Sequence, residues 1–176
     1  MAGIDPSRPF EPLSIAVLTV SDTRALAEDK SGALLSERIK AAGHKLADRA
    51  IVKDDVKAIR AKVKKWIADK KIDVVITTGG TGFTGRDVTP EAVEPLLEKT
   101  MDGFSIVFHQ ISMQKIGTST IQSRALAGSA KSTFVFPCPV RPAPAATPGT
   151  KSSSISLIFA TGPAILSKYC RASASI

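Results

Sequence analysis

The sequence contains few residues that commonly bind metals or form disulfides: two cysteines and two histidines in 176 residues. Cys138, Cys170, His44 and His109 are scattered without the spacing of a zinc ligand set, so no zinc site is expected. Two isolated cysteines also provide no disulfide framework. We interpret both as inert thiols of a protein in a reducing compartment, and the predicted location is the cytoplasm.

Long apolar runs are also missing. No run approaches the roughly 18 residues that a membrane-spanning helix requires. The first residues, MAGIDPSRPFEPL, lack the apolar core of an export signal. We therefore expect no membrane partner and no export. Hydrophobic residues make up 43% of the chain, which is ordinary for a globular protein, and the length suits one domain with a substantial core.

Acidic residues are absent after residue 102. Residues 1–102 contain all 16 acidic residues and 17 of the 24 Lys and Arg, so this part is nearly neutral. Residues 103–176 carry the other seven basic residues, widely spaced. Although the net charge is +8, no basic stripe with interleaved aromatic residues is present. The sequence therefore predicts no nucleic-acid partner.

Strand and helix patterns alternate after an N-terminal arm, residues 1–12. Apolar and β-branched runs predict strands at residues 13–20, 45–52, 73–78 and 132–136. Helical spacing and stop signals predict helices at residues 31–42, 56–67, 90–98, 103–115 and 119–128, with Asp54 as a plausible N-cap of the second. This alternation predicts an α/β domain, residues 13–136, with a mainly parallel sheet and helices on both faces in three layers.

Residues 73–92, DVVITTGGTGFTGRDVTPEA, carry the strongest functional pattern. A β-branched run ends in a glycine-rich loop, and such glycines let the backbone approach a ligand and turn its N–H groups outward. Thr89 is predicted to cap the following helix, and Pro90 suits its first turn. The helix dipole would then favour an anion in the same crevice. The pattern predicts a phosphate site at the carboxyl end of a strand.

Other polar residues follow the neighbouring strands. Ser21 and Asp22 come after the first strand and Asp54 after the second, so all should meet the glycine loop at one edge of the sheet. Alternatives remain open for each. Asp54 could only cap a helix, Ser21 and Asp22 could form a solvated turn, and Asp87 could be a turn residue. Arg86 is either solvated or a phosphate contact.

Two other phosphate-binding motifs resemble the loop only in part. Gly80-x-Gly82-x-x-Gly85 matches the dinucleotide fingerprint, but it follows the third strand, and the next acid at the expected interval, Asp102, follows a helix. A Walker A loop would require Gly-Lys followed by Ser or Thr, which is missing. A merely tight turn would not require four glycines in seven residues.

The run ITTGGTGFTGRDVTPEA resembles the signature of the molybdopterin-binding MoaB/MogA family of molybdenum-cofactor biosynthesis. Similarity extends to LTVSD (18–22), AIVKDD (50–55), GFSIVFHQIS (103–112) and IGTSTIQSRALAG (116–128). It covers residues 13–136, with the MoaB branch more similar. The resemblance implies the molybdopterin-binding fold and assembly as a homo-oligomer, either a trimer or a hexamer.

The resemblance further implies an adenylyltransferase. The terminal phosphate of molybdopterin would attack the α-phosphate of ATP, with Mg²⁺ and with release of pyrophosphate. Asp54 and Asp87 stand where the family has its two catalytic acids, Asp87 at the metal or triphosphate and Asp54 orienting the attacking group. The residues that would contact molybdopterin or ATP are Ser21, Asp22, Thr78, Gly79, Gly80, Thr81, Gly82 and Thr89. The alternative is a non-catalytic molybdopterin-binding or scaffolding protein of the same pathway.

The resemblance stops after residue 136 and does not extend to residues 137–176. This tail contains six of the 11 prolines and seven serines, with little periodicity. The family pattern has a Leu-Pro-Gly-Ser-Pro loop that closes the pterin site, followed by a helix, where this chain has Cys138-Pro139-Val140-Arg141-Pro142. A shifted reading frame explains the change. Cys138 to Pro142 can be encoded by TGC CCG GTT CGC CCG. If the codon of Pro137 ends in C and reading starts at that C, the same nucleotides become CTG CCC GGT TCG CCC, which encode Leu-Pro-Gly-Ser-Pro.

We therefore predict that sequencing the gene across codon 137 in independent isolates will reveal a one-nucleotide difference that restores this loop. The same offset also produces acidic residues and a helix-like segment further along the tail, which a random sequence would rarely do. An unchanged reading in every isolate would contradict the frame shift and would favour a genuine Pro/Ser-rich tail.

Overall fold

A mixed sheet of six strands forms the centre of the fold, and the computed structural model describes residues 10–23 and 25–139. The strands are β1 (Ser14–Val20), β2 (Lys45–Val52), β3 (Val74–Thr78), β4 (Lys99–Thr100), β5 (Gly128–Ala130) and β6 (Thr133–Pro137). The α-helices are α1 (Lys30–Ala41), α2 (Val56–Ala68), α3 (Thr89–Val93) and α4 (Asp102–Ile116). Short 3₁₀ turns lie at Leu26–Glu28, Glu94–Leu96 and Gly117–Gln122.

The strand order is β2-β1-β3-β6-β5-β4. The four strands that the sequence predicts, β1, β2, β3 and β6, run parallel, and helices lie in the chain between them, as parallel strands require. The two short strands β4 and β5 add an antiparallel edge beside β6. The predicted mainly parallel α/β sheet is therefore confirmed, with an unpredicted antiparallel margin.

Two separate hydrophobic layers cover the faces of the sheet. Because side chains alternate along a strand, Ile15 and Val17 of β1 enter one layer, while Ala16 and Leu18 enter the other. The first layer packs against α1 and α4, and the second against α2 and α3. The prediction of three layers, with helices on both faces, is confirmed.

Two of the predicted helices differ from the observed ones. The helix predicted at 90–98 ends at Val93 and passes into a 3₁₀ turn, because Pro95 has no N–H for a continuing α-helix. The helix predicted at 119–128 is wrong. Gly117, with φ +58°, ends α4, and the Thr/Ser-rich stretch forms a 3₁₀ turn, an extended segment and β5.

The N-cap of α2 is Asp55 rather than Asp54. The Asp55 carboxylate accepts the N–H of Ala58 at 2.8 Å, and its backbone is extended, as an N-cap requires. Asp54 lies one residue earlier, and its carboxylate is directed elsewhere. The helix-capping alternative for Asp54 is therefore wrong.

The N-terminus of α1 is tied to the sheet by a buried carboxylate. Asp29 is 1% exposed and accepts the Gly32 N–H at 2.9 Å and the Thr19 hydroxyl at 2.7 Å. Arg49 of β2 donates to the same carboxylate at 3.0 Å. Burial acts to raise the pKa of Asp29, but these hydrogen bonds and the arginine outweigh it and lower the pKa. One side chain thus joins α1, β1 and β2.

Cys138 follows β6 and is fully buried. Burial raises the pKa of its thiol to about 12. A thiol that remains protonated at neutral pH is a poor nucleophile, in agreement with the interpretation of an inert cysteine. The predicted arm (1–9), Cys170 and nearly all of the tail (140–176) lie outside the described residues. Within the described ranges, no helix is both long and apolar enough to cross a membrane.

We predict that Asp29→Ala lowers the free energy of unfolding by about 3 kcal/mol, because it leaves a largely buried arginine without its carboxylate and removes a cap. Asp55→Ala is the matched control, since it removes an exposed N-cap alone and should cost about 1 kcal/mol. Urea unfolding measures both. Equal losses would contradict the structural role of Asp29.

Candidate functional site

The loops that follow β1, β2 and β3 meet at one edge of the sheet. The Asp54 N–H donates to the Asp22 carboxylate at 3.0 Å, joining the loops after β2 and β1. The Asp54 carboxylate in turn lies beside the glycine loop after β3. The expected convergence of these segments is confirmed, and it follows from the parallel order of the three strands.

The first two loop residues require glycine. Gly79 has φ +94° and Gly80 has φ +60°, in the left-handed region that other residues rarely adopt. A Cβ at Gly79 would collide with the carbonyl oxygen of Val20, and one at Gly80 would lie 2.7 Å from the Asp54 carboxylate oxygens. The loop backbone therefore lies against β1 and Asp54 without a side chain between them.

Four consecutive carbonyl oxygens of this loop accept hydrogen bonds from residues outside the loop. The Thr89 hydroxyl donates to the Gly79 oxygen at 2.8 Å, and the Thr89 N–H donates to the Gly80 oxygen at 2.9 Å. The N–H and Nε of Arg124 donate to the Thr81 oxygen at 3.0 Å and the Gly82 oxygen at 2.7 Å. The loop conformation thus depends on two residues from outside it.

Thr89 is not the N-cap of α3. The N-cap is Val88, with no side-chain cap bond, while Thr89 is fully buried with its hydroxyl bound to the loop. The N–H groups of Val88 and Thr89 are taken by Asp54 and Gly80. The predicted cap is therefore wrong, and the sequence could not reveal that the threonine faces back toward the glycines.

The loop forms the wall of a pocket of about 350 Å³. Its lining residues are Gly79, Gly80, Thr81, Gly82, Phe83, Thr84, Asp87, Gln122, Ser123 and Pro139. Of the sequence-predicted site residues, the loop and Asp87 line this pocket. Ser21, Asp22, Asp54, Thr78 and Thr89 do not, although the Thr89 hydroxyl binds the Gly79 carbonyl oxygen and the Asp54 carboxylate lies beside Gly80.

Asp87 is held as an anion at the pocket. The Thr84 hydroxyl and N–H donate to one carboxylate oxygen at 2.5 and 3.0 Å. Burial acts to raise the pKa of Asp87, but the bonds from Thr84 and Gly82 and the charge of Arg124 outweigh it and lower the pKa. The Asp87 N–H also donates to the Thr84 carbonyl oxygen at 3.0 Å, so the two residues close a backbone turn, as one of the alternatives for Asp87 expected.

Arg124 supports the loop, and the sequence patterns did not indicate it. Besides the loop carbonyls, its guanidinium donates to the Asp87 carbonyl oxygen and pairs with the Glu91 carboxylate. The planar fork of arginine suits such simultaneous contacts. Arg124 lies about 40 residues from the loop in sequence, so no local pattern predicted its position.

Ser123, which also lines the pocket, contacts His109 of α4. One ring nitrogen of His109 lies 2.7 Å from the carbonyl oxygen of Ser105, and the other lies 2.9 Å from that of Ser123. Gln122 and Ser123 belong to the segment that was wrongly predicted as a helix. Their place in the pocket follows from that segment crossing in front of the loop.

Asp54 differs electrostatically from Asp87. Its carboxylate accepts a hydrogen bond from the Val88 N–H at 3.2 Å. Burial raises the pKa of Asp54, and the negative charges of Asp87 and Asp22 raise it further, against the lowering effect of the bond from Val88. Two acids at the same edge of the sheet therefore have their pKa values displaced in opposite directions, as is common at functional sites.

The acids suit a cation that a substrate helps to bind. Within residues 10–23 and 25–139, no three His, Cys, Asp or Glu side chains are grouped closely enough to hold a metal alone. Mg²⁺ typically uses only one or two protein carboxylates together with water and substrate phosphates. Asp87, ionised and at the pocket wall, fits that kind of site.

Comparisons with known proteins assign the family. Residues 16–151 match the family described as "Probable molybdopterin binding domain". The chain belongs to this family. The match extends past residue 136 into the segment predicted to be altered. The resemblance to MoaB/MogA proteins is thereby confirmed, and so is the molybdopterin-binding fold.

Individual family members are similar over most of their length. The chain is 48% identical over 133 residues to molybdenum cofactor biosynthesis protein B of Escherichia coli (strain K12), covering 76% of this chain and 78% of the relative. A crystal structure of molybdenum cofactor biosynthesis protein B superposes with a TM-score of 0.75 at 38% identity, covering 94% of this chain and 96% of that one. The tungsten cofactor synthesizing protein MoaB from Pyrococcus furiosus gives 0.74 at 32% identity, covering 91% and 98%.

We predict that Asp54→Asn stabilises the fold at pH 7. Because the folded-state pKa of Asp54 is raised above its ordinary value of 3.8, its stabilising contribution is present below that value and is lost as pH rises through the folded pKa. Asparagine removes the charge and can still accept the Val88 N–H. The Tm should therefore exceed that of the wild type at pH 7, and the difference should shrink as pH falls toward 3.8.

The neighbouring Asp55→Asn is the control. Asparagine caps a helix about as well as aspartate, so this exposed position should show little change in Tm at pH 7. Thermal unfolding followed by circular dichroism across the pH range measures both variants. A pH-independent difference for Asp54→Asn would contradict the electrostatic cause.

Proposed function

We propose that this chain acts in molybdenum cofactor biosynthesis as a MoaB-type protein, transferring AMP from ATP to the terminal phosphate of molybdopterin. The relatives' names support the pathway, and the family description supports molybdopterin as the bound substrate. The site itself supports phosphate chemistry. The observation that carries the proposal is the hydrogen bonding of the four loop carbonyls beside an ionised Asp87.

The loop would bind phosphate through its amides. No cis peptide occurs in the described residues, and in a trans peptide the N–H points opposite to the carbonyl oxygen. The carbonyls of residues 79–82 are bound by Thr89 and Arg124, so the N–H groups of Gly80, Thr81 and Phe83 point away from these partners, while the Gly82 N–H is directed at the Asp87 carboxylate. Those residues line the pocket. A row of such amides is a typical anion-binding nest.

Asp87 would position the triphosphate. A carboxylate beside a polyphosphate repels it unless a cation lies between them. When bound, Mg²⁺ would neutralise phosphate charge and bridge the nucleotide to the protein. Asp87 suits this role because Thr84 fixes its orientation and its lowered pKa keeps it ionised at neutral pH. Catalysis would then depend on positioning and charge neutralisation.

Asp54 would orient the attacking phosphate from the side of Gly80. Its carboxylate lies against the loop, where glycine leaves space, and the raised pKa makes it the better proton acceptor of the two acids. Asp22 would hold the Asp54 backbone through the bond that joins their loops. Thr89 would act as a positioning residue rather than as a direct ligand, because it is fully buried.

The non-catalytic alternative is favoured by one observation. Pro139 lines the pocket, and the residues around it in the sequence, Cys138-Pro139-Val140-Arg141-Pro142, differ from the Leu-Pro-Gly-Ser-Pro loop that the family resemblance implies. A pocket without that closing segment would bind molybdopterin less tightly and would exclude water poorly. A molybdopterin-binding or scaffolding protein would tolerate this change better than an enzyme.

Self-association and a cytoplasmic location complete the proposal. Ile106, Met113 and Ile121 are exposed on α4 and the adjoining 3₁₀ turn, where they line a second, largely apolar groove. Exposed apolar clusters of this kind commonly mark contact surfaces. They support the homo-oligomer that the family resemblance implies.

The test is to incubate the protein with molybdopterin, ATP and Mg²⁺ and to follow the release of pyrophosphate. Asp87→Asn should lower kcat by about 100- to 1000-fold, the usual effect of removing one preorganised electrostatic group. Asp69→Asn, at the C-terminal end of α2 and the opposite edge of the sheet, is the matched control and should leave kcat unchanged.

Three results distinguish the candidate functions. Pyrophosphate release that is lost in Asp87→Asn supports the adenylyltransferase. No release with retained molybdopterin binding, measured by calorimetry, would remove the enzyme and leave the scaffolding function. Wild-type protein that binds neither molybdopterin nor ATP would contradict both.

A further inference from the structure

Phe83 is a large aromatic side chain held in solvent at the mouth of the pocket. It is 81% exposed, the most exposed of the large hydrophobic residues in the described ranges. It lines the pocket between the phosphate-binding glycines and Thr84. Other phenylalanines of the described chain pack together, as Phe104 does with Phe108 and Phe136. The hydrophobic effect alone would not place Phe83 outside the core.

The backbone on both sides of Phe83 is fixed. The Gly82 carbonyl oxygen accepts the Nε of Arg124 at 2.7 Å, and the Thr84 N–H donates to Asp87 at 3.0 Å. Gly82 packs closely against the Asp87 carboxylate, with no room for a Cβ between them. The ring therefore projects from a braced turn, so that little conformational entropy would be lost when a flat molecule lies against it.

Among the residues that the structure describes, no second aromatic side chain lines this pocket. Apart from Phe83, its lining consists of glycines, hydroxyl and amide side chains, Asp87 and Pro139. Polar groups and backbone amides suit phosphates, whereas a planar nitrogen heterocycle binds best against an aromatic face. Both substrates of the proposed reaction combine a phosphate with such a heterocycle, adenine in ATP and the pterin in molybdopterin.

We propose that Phe83 is a specificity residue that stacks on the heterocycle of a substrate whose phosphate is bound by residues 79–82. The inference rests on the proposed function, because it takes its substrate class from that reaction. Phe83 selects for the ring, and the glycine loop selects for the phosphate. The two contacts lie next to each other in the chain, so one turn of backbone reads both parts of the same molecule.

The test compares ligands with and without a ring. ATP, molybdopterin and inorganic tripolyphosphate are titrated separately by calorimetry, each with Mg²⁺, into the wild type and into Phe83→Ala, Phe83→Leu and Phe83→Trp. Phe83→Ala should weaken binding of the stacked ligand about 10- to 100-fold, the range found for base–aromatic stacking. Phe83→Trp should bind the stacked ligand about as tightly as the wild type, whereas Phe83→Leu should bind it weakly. The dissociation constant of tripolyphosphate should be the same for all four proteins.

Phe10→Ala is the matched control. Phe10 is also exposed, at 51%, but it packs against His44 with ring centroids 5.2 Å apart and does not line the pocket. Its dissociation constants for all three ligands should equal those of the wild type. A selective loss of ATP binding in Phe83→Ala assigns the ring contact to adenine, and a selective loss of molybdopterin binding assigns it to the pterin.

Two results would overturn the inference. Unchanged binding of both ATP and molybdopterin to Phe83→Ala, with normal wild-type binding, would remove the stacking role while leaving the proposed function in place. An equal loss of tripolyphosphate would show that Phe83 only shapes the loop. If the wild type bound tripolyphosphate but neither ring-containing ligand, the proposed function would fail and the inference with it.

Discussion

The candidate site depends on the hydrogen bonds that the protein makes to the carbonyl oxygens of residues 79–82. A glycine-rich segment has great conformational freedom, and its amides can form an anion site only if the opposite edge of the backbone is bound elsewhere. Buried Thr89 binds the first two carbonyls, and Arg124 binds the next two. Because Arg124 also contacts the Asp87 backbone and Glu91, the same guanidinium sets the loop, the acid and the start of α3 relative to each other.

This arrangement concentrates negative charge. Asp22, Asp54, Asp87 and Glu91 influence one another electrostatically, and the unfavourable part of that interaction falls mainly on Asp54, whose pKa is raised. The pKa of Asp87 is lowered, because Thr84 and nearby backbone groups donate to its carboxylate. A site that accumulates carboxylates at some cost in stability, with one kept ionised, suits a polyphosphate bridged by a divalent cation. In the proposed function, Asp54 therefore has a role for which its charge costs the fold stability.

Local patterns predicted the parts of the fold whose residues signal their own structure. The β-branched runs of β1, β3 and β6 and the apolar stripe of α2 depend on spacing alone, so strands and helix lie where expected. The two-residue β4 and the three-residue β5 have no such period, because they exist only through pairing with each other and with β6. The helix expected at 119–128 was wrong for a related reason. Residues 123–127 are held by backbone hydrogen bonds to Thr81, Pro137 and Met101, which lie far away in the sequence.

The sequence by itself determined the α/β class, the loop that binds phosphate in the proposal, and the convergence of Asp22, Asp54 and Gly80. These follow from strand order and from the special backbone freedom of glycine. Only the tertiary structure decided which side each residue faces. It turned Thr89 from a helix cap into a buried support and moved the cap of α2 to Asp55. It also placed Ser123, which follows α4 in the sequence, at the pocket and Arg124 against the glycine loop. Such contacts join residues tens of positions apart, and their geometry is set by packing between layers rather than by any local preference.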